Sequence, residues 1–506
     1  MSLAVVHSCN LVGLQVQPIN VEVHVGAGLP AFHIVGLPDT GIRESRERVR
    51  SAILSSGYEF PAARITVNLA PADLPKASGR FDLPIALGIL LASGQIAVQT
   101  EAGPRPPQVE HLFFIGELSL TGVLLDTPGC LAIALSFKQA QHQLIVPYAS
   151  AKKLAAVQLP YLLGASSLSA VVAHLQKQAA LTAPTCAPII KGGATSQQSC
   201  LSDIRGQSLA CQALEIAASG GHHLLLAGPP GVGKTMLAQR LPGLLPPLTA
   251  SRQLEVAAIR ELLGEPVQWP VGVPFRAPHH SSSRAAIIGG GLIPKPGEIS
   301  LAHRGVLFLD EFPEFNRSII EALREPLETG HILISRATHK FSFPAQFQLI
   351  VAMNPCPCGF WGHPHKTCRC TPAIRERYQS KISGPLFDRL DIALFLVPEG
   401  EQFLSRPQAE SSAVVRQRVM QLQKLQLERQ GRLNSELDIT LLDHWASLDS
   451  TGQKVLQQGI ARWHWSHRSI VRLRRLARTI ADMDQSRQIS ADHLLAAIQF
   501  RYPMGE

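Results

Sequence analysis

One run constrains this chain more than any other: Gly228-Pro229-Pro230-Gly231-Val232-Gly233-Lys234-Thr235. It fits G-x-x-x-x-G-K-[ST] in full, and it stands between an apolar strand-like stretch (223–227) and a helix-forming one (234–241). Glycines let backbone N–H groups close round phosphates, and a helix N-terminus adds partial positive charge. In that setting Lys234 is placed for the β- and γ-phosphates and the Thr235 hydroxyl for Mg²⁺. The middle of the chain is therefore expected to be an α/β layer carrying a nucleotide.

A second apolar stretch, 305–309, ends in Asp310 and Glu311. Carboxylates at the end of a buried strand sit at the edge where α/β sheets bind ligands. Asp310 is the candidate to hold Mg²⁺, and Glu311 to orient and deprotonate a water. The next strand, 348–353, ends in Asn354, which at that edge can position water or a γ-phosphate. Phosphoryl transfer also needs positive charge on the transition state, and a neighbouring subunit often supplies it. Arg389 is the candidate for that finger, and Arg468, at the start of a C-terminal helix, for a lid sensor. An arginine at either place is by default a surface residue.

With 506 residues, about three domains are expected as a soft prior. Residues 1–176 mix strand-like stretches (21–25, 64–69, 113–120, 143–146) with helical ones (41–54, 84–93), so an α+β domain is expected. Residues 177–200 are small, polar and contain Gly and Pro, as a linker does. Buried strands alternating with helices over 201–398 imply a parallel sheet, with a leading helix at 209–219. Residues 399–506 read as helices only (414–430, 453–462, 470–481, 491–500). No apolar run approaches the roughly 18–20 residues of a membrane span, and the N-terminus lacks the basic and apolar regions of a signal peptide. A cytoplasmic protein with reduced thiols is the expectation.

Four of the nine cysteines fall in fifteen residues, as Cys356-Pro-Cys358 and Cys368-Arg-Cys370. In a reducing compartment four thiols read as a structural Zn²⁺ site, although C-x-C is tighter than usual zinc spacing. A buried thiol cluster is the alternative, and His363 and His365 are spare ligands. Cys9, Cys130, Cys186, Cys200 and Cys211 read as ordinary buried or linker thiols.

Several longer blocks carry a resemblance. They are Phe32-His-Ile-Val-Gly-Leu-Pro-Asp39, Asn68-Leu-Ala-Pro-Ala-Asp-Leu-Pro-Lys76, Phe275-Arg-Ala-Pro-His-His280, Pro296-Gly-Glu-Ile-Ser-Leu-Ala-His-Arg-Gly305, Asn354-Pro-Cys-Pro-Cys-Gly359, Ser383-Gly-Pro-Leu and Ala477-Arg-Thr-Ile-Ala-Asp482. With them the chain resembles the magnesium-chelatase-like AAA+ family of bacteria called YifB or ComM, over nearly its whole length and most weakly at 97–180. The resemblance implies an α/β protein with a Lon-protease-like α+β domain first. An AAA+ P-loop core follows, with an insert in its second helix and a pre-sensor hairpin, and an α-helical lid closes the chain. It implies a homohexameric ATPase using ATP and Mg²⁺, with Arg389 as arginine finger and Arg468 as second sensor. ComM-like members are taken to be helicases that promote branch migration in natural transformation. Single-stranded and branched DNA and recombination proteins would be partners, and a membrane would not.

The Lon-type peptidase uses a Ser–Lys dyad. Here Arg80 or Phe81 stands at the nucleophile position, the segment 120–131 has no lysine, and Ser78 and Lys76 are too close along one loop. Activating a serine requires a positioned base. This domain is therefore expected to be a scaffold or binding module. The insert (about 271–300) carries Lys295, and a second hairpin (about 332–344) carries Arg336, His339 and Lys340, which the resemblance points toward DNA in a pore. Residues 461–478 hold Arg462, Arg468, Arg472, Arg474, Arg475 and Arg478 without an acid. Arg472 and Arg475 could line a pore, stack on the sheet domain or meet ATP. A net charge of +9 is compatible with nucleic acid and with a solvated basic face alike. The alternative function is a remodelling or chelatase-like motor acting on a protein partner.

Overall fold

The computed structural model describes residues 2–36, 40–71, 79–96, 111–137, 142–183, 199–291, 294–335, 340–381, 384–398 and 408–501. It divides into two compact units. One comprises residues 1–193 with 254–271 and 292–295, the other 194–253, 272–291 and 296–506.

In the first unit, β1 (Ser2–Val12), β2 (Gln15–Gly26), β3 (Ala31–Val35), β4 (Arg64–Ala70), β5 (Leu112–Phe114), β8 (Gln143–Pro147) and β9 (Leu162–Ala165) form a mixed sheet. A small antiparallel pair, β6 (Glu117–Leu118) and β7 (Leu124–Leu125), lies between β5 and β8 in sequence. The large sheet runs β3-β4-β2-β1-β5-β8-β9. Alternation explains its faces: Ile65, Val67 and Leu69 of β4 and Ile19, Val21 and Val23 of β2 are fully buried, while their neighbours are less so. The helix Asp82–Ala92 is apolar on all sides and is wholly buried against this sheet. Its one charge, Asp82, is paired with Arg48 at 2.7 Å and accepts the Leu118 N–H at 3.2 Å. Residues 254–271 belong here because Glu261 accepts the backbone N–H groups of Gly129, Cys130 and Leu131 at 2.9, 3.1 and 3.3 Å. Burial pushes that carboxyl up to about 7.

In the second unit, β10 (Leu224–Ala227), β11 (Phe275–Arg276), β14 (Val306–Leu309), β17 (Gln348–Met353) and β18 (Ile392–Phe395) form a five-stranded sheet in the order β11-β14-β17-β10-β18, parallel throughout. The two-residue strands β12 (Gly289–Gly290) and β13 (Lys295–Pro296) fall in the insert, and β15 (His331–Ser335) pairs antiparallel with β16 (Lys340–Pro344). The central strands read as unbroken apolar runs because both faces are covered. After β18 the described residues contain helices without strands, chiefly Ser412–Gln430, Ile439–Trp445, Ser450–Trp463, His467–Met483 and Ala491–Arg501. Their inner faces join the same core as Ile216, Leu226 and Ile350.

Two expected elements differ. The strand expected over 113–120 breaks at Gly116, whose N–H donates to Arg80 O at 2.9 Å rather than to a neighbouring strand. The helix expected over 234–241 stops at Ala238, and a separate turn, Leu241–Leu244, follows. Pro242 accounts for the break, since its nitrogen carries no hydrogen to continue the ladder. No helix among the described residues is long and apolar enough to cross a membrane.

Candidate nucleotide site

The sheet of the second unit has two polar edges with different contents. At the C-terminal ends of β10, β14 and β17 stand the P-loop, Asp310–Glu311 and Asn354. Gly231 and Gly233 hold φ of 84° and 90°, which a side chain would strain, and so wrap the loop. The Lys234 ammonium donates to Gly228 O at 2.6 Å, Pro229 O at 2.9 Å and Asn354 Oδ1 at 3.0 Å. Its three protons thus have three acceptors. Burial lowers its pKa to about 8, with Asp310 and Glu311 pulling the other way. Thr235 Oγ1 donates to Asp310 Oδ2 at 2.7 Å. A hydroxyl and a carboxylate in contact offer the oxygen donors Mg²⁺ requires. Glu311 follows in a left-handed turn (φ 50°), its N–H on Asp310 Oδ1 at 2.9 Å, and its side chain is more than half exposed. Four residues from three separate motifs, Lys234, Thr235, Asp310 and Asn354, therefore do meet.

Other neighbours were not legible as site residues. His280 Nδ1 lies 3.3 Å from Glu311 Oε2. It belongs to a quoted sequence block, but nothing in the block assigns it a partner. Beside Gly231 and Gly233 opens a pocket of about 350 Å³, lined also by Asp203, Ile204, Arg205, Gln207 and His363. That size falls in the usual range for small-molecule sites, about 300–1,000 Å³.

The four cysteines converge. Cys356 Sγ lies 3.4 Å from Cys358 Sγ and 3.6 Å from Cys368 Sγ, Cys358 and Cys368 are 3.6 Å apart, and all four sulfurs lie within 4.8 Å of one another. A disulfide would bring two sulfurs to about 2.0 Å. Four thiolates at about 2.3 Å from one zinc would stand about 3.8 Å apart, close to the spacing found. His363 and His365 lie on the loop between the pairs and are not needed to complete four ligands.

The opposite, N-terminal edge of the sheet is a structural node. Asp391, 1% exposed, accepts Arg472 Nη1 at 2.7 Å and the His223 N–H at 3.1 Å. His222 bonds Thr479 Oγ1 at 2.8 Å, and Arg501 donates to Leu390 O at 2.8 Å. This settles the reading of the basic helix. Arg472 ties His467–Met483 to the sheet, Arg475 donates to Leu437 O, and Arg478 is buried on Asp482 at 2.7 Å. These side chains are braces, and Arg474 is paired with Asp443 at 2.8 Å.

Arg389 stands at this same edge, two residues before Asp391. It is 8% exposed, ion-paired with Glu328, and donates to Pro385 O at 2.6 Å. The length of a four-residue strand, about 13 Å, separates that edge from the P-loop of its own chain. Arg468 is exposed in the first turn of His467–Met483. Lys295 and Lys340 are exposed; Arg336 and His339, like Lys76, Ser78 and Cys186, lie outside the described residues. Arg80 and Phe81 of the first unit are buried.

Residues 200–402 match the family model for magnesium chelatase, subunit ChlI; residues 21–150 match that for subunit ChlI of Mg-chelatase, and 409–501 that for its C-terminal part. Relatives align with this chain over nearly its whole length. The YifB protein of Escherichia coli is 45% identical over 99% of this chain and 97% of its own length. The competence protein ComM of Haemophilus influenzae is 42% identical over 99% and 98%. The chain belongs to the magnesium-chelatase-like YifB/ComM family. A Mycobacterium tuberculosis relative is 38% identical over 99% of both chains. Membership extends across both units, including the stretch 97–180 where the resemblance is weakest, of which a family model covers the part to 150.

Proposed function

We propose that this family member is a cytoplasmic, ATP-driven DNA helicase or translocase that works as a homohexamer and promotes branch migration during recombination in natural transformation. The observation that carries the ATPase half is the meeting of Lys234, Thr235, Asp310 and Asn354 at one sheet edge, with Glu311 beside them. Mg²⁺, when bound by Thr235 and Asp310, would neutralise charge between the β- and γ-phosphates. Lys234 exchanges its backbone acceptors for phosphate oxygens, Asn354 holds the γ-phosphate or water, and Glu311 takes the water's proton.

Arg389 supports the ring half, because a finger on the far edge of the sheet serves a neighbour's ATP rather than its own. Arg468, exposed on the helical lid, is the second sensor. Support for DNA as substrate comes from the ComM relative's naming as a competence protein and from exposed Lys295 and Lys340 on the insert and the hairpin. The first unit is a Lon-like scaffold without peptidase chemistry. The thiol cluster is a structural zinc site, supported by four sulfurs at tetrahedral spacing.

A branched DNA carrying a labelled strand tests this reading. ATP-dependent strand release is expected, with loss of at least about a hundredfold in Glu311→Gln while nucleotide binding persists. Nucleotide hydrolysis without any strand movement would favour the alternative, a remodelling or chelatase-like motor acting on a protein partner.

A further inference from the structure

We infer that the four-cysteine loop, loaded with zinc, builds one wall of the nucleotide pocket and that its His363 recognises the base. The inference rests on the ATPase reading, because it gives the pocket beside Gly231 and Gly233 to the base and sugar of a nucleotide.

The phosphates have their place on the loop around Lys234. What remains of a nucleotide must enter the adjoining pocket, lined by Asp203, Ile204, Arg205, Gln207 and His363. Other polar groups of the lining are already engaged: Asp203 pairs with Arg240 at 2.9 Å, and Gln207 Nε2 donates to Val397 O at 3.0 Å. His363 differs. Its Nδ1 accepts the backbone N–H groups of His365 at 3.0 Å and Lys366 at 3.1 Å. Two backbone donors on Nδ1 make that nitrogen the acceptor and leave the ring proton on Nε2. Nε2–H is a donor suited to a ring nitrogen of a purine.

Residues 354–371 contain neither helix nor strand, so no ladder of backbone hydrogen bonds holds this wall. The sulfur cluster closes the loop at both ends: Cys356 and Cys358 enter it, Cys368 and Cys370 leave it. Gly359 sets the loop's distance from the phosphate site. It holds φ of 81°, and a Cβ there would lie 2.8 Å from Cδ of Pro230 in the P-loop. Metal binding to such a site is folding free energy, so loading would order the loop that carries His363. The cluster and the pocket are thereby one device, with zinc acting on nucleotide affinity through loop position.

The test uses the full-length protein, elemental analysis for zinc, and titration with a fluorescent ATP analogue. Tripolyphosphate, which lacks a base, serves as competitor. His363→Ala is expected to keep its zinc and its tripolyphosphate affinity while ATP binds roughly tenfold more weakly, the worth of one hydrogen bond. Cys368→Ser/Cys370→Ser is expected to lose zinc and weaken ATP at least as much. Should that variant fail to fold, wild-type protein stripped with phenanthroline and given zinc back supplies the same comparison, with affinity falling and recovering. A wild-type chain that takes up no zinc, or ATP affinity indifferent to both zinc and His363, would overturn the inference while leaving the ATPase reading intact. A wild-type chain that binds no nucleotide at all would overturn both, with zinc content still reporting on the cluster separately.

Discussion

At the residue scale, Lys234 carries the most specific expectation. Burial lowers its pKa to about 8, so near pH 8 a substantial fraction of the free protein holds it neutral. Phosphates beside it favour the charged form, and nucleotide binding there takes up protons. Calorimetry at pH 8 in buffers of different ionisation enthalpy should show net proton uptake on binding of Mg²⁺ and ATP, falling toward zero by pH 6.5 and lost in Lys234→Met. Binding without linked protons at pH 8 would mean that Lys234 is fully charged in the free protein. Lys234 was legible from the full glycine-loop motif after an apolar strand, and Asp310 and Asn354 because each directly follows such a strand; a parallel sheet brings these ends to one edge. His280 and His363 were not, because nothing along the chain says that they fold back onto Glu311 and the P-loop. Arg389 was legible as a candidate, but its burial against Glu328 was not.

At the element scale, the node at the N-terminal edge of the sheet binds the C-terminal helices to the core. Burial pushes Asp391 up, but Arg472, His222 and His223 outweigh it and hold the carboxyl well below the usual carboxylate range. Its stabilising effect is present above about pH 4 and is lost only as pH falls below that. His223 acts in a higher window. Burial lowers its pKa to about 4, and its Nδ1 accepts the Leu349 N–H at 3.1 Å, which protonation would break. The unfolded chain therefore binds more protons than the folded one between about pH 6.5 and 4, and stability falls as pH drops through that range. The expected loss is about 3 kcal/mol at most, read as a shift in denaturant midpoint and flattened in His223→Gln. Arg472→Ala should cost about 3–5 kcal/mol at neutral pH, because it leaves Asp391 charged and buried. A midpoint unmoved by Arg472→Ala would show that the Arg472–Asp391 pair does not hold the helices to the sheet.

These contacts explain why the helices themselves were readable and their purpose was not. Periodicity places His467–Met483 within a few residues, since Leu473, Leu476, Ala477 and Ile480 repeat on one face. An arginine on that helix looks the same in sequence whether it meets solvent, DNA or Asp391. The break after Ala238 shows a similar limit: Pro242 is visible, but where the helix gives way before it depends on how Leu241–Leu244 packs against Ser412–Gln430.

At the scale of the whole molecule, the separation of Arg389 from its own P-loop makes assembly part of the chemistry proposed. Arg389→Ala should bind nucleotide normally and hydrolyse it about a thousandfold more slowly. Mixed with Glu311→Gln chains, which are also inactive alone, it should regain activity, because some interfaces then pair an intact Glu311 with a neighbour's intact Arg389. Mixtures as inactive as their components would place both residues in service of one chain's own ATP. DNA as the driven substrate is tested most directly by ATP hydrolysis at low salt, with and without single-stranded and branched DNA and with Lys234→Ala as the blank. A DNA motor gives hydrolysis that rises strongly with DNA, falls as salt displaces the phosphate contacts, and vanishes in Lys234→Ala. Hydrolysis that is lost in Lys234→Ala but indifferent to DNA would contradict the motor and turn the search to a protein partner.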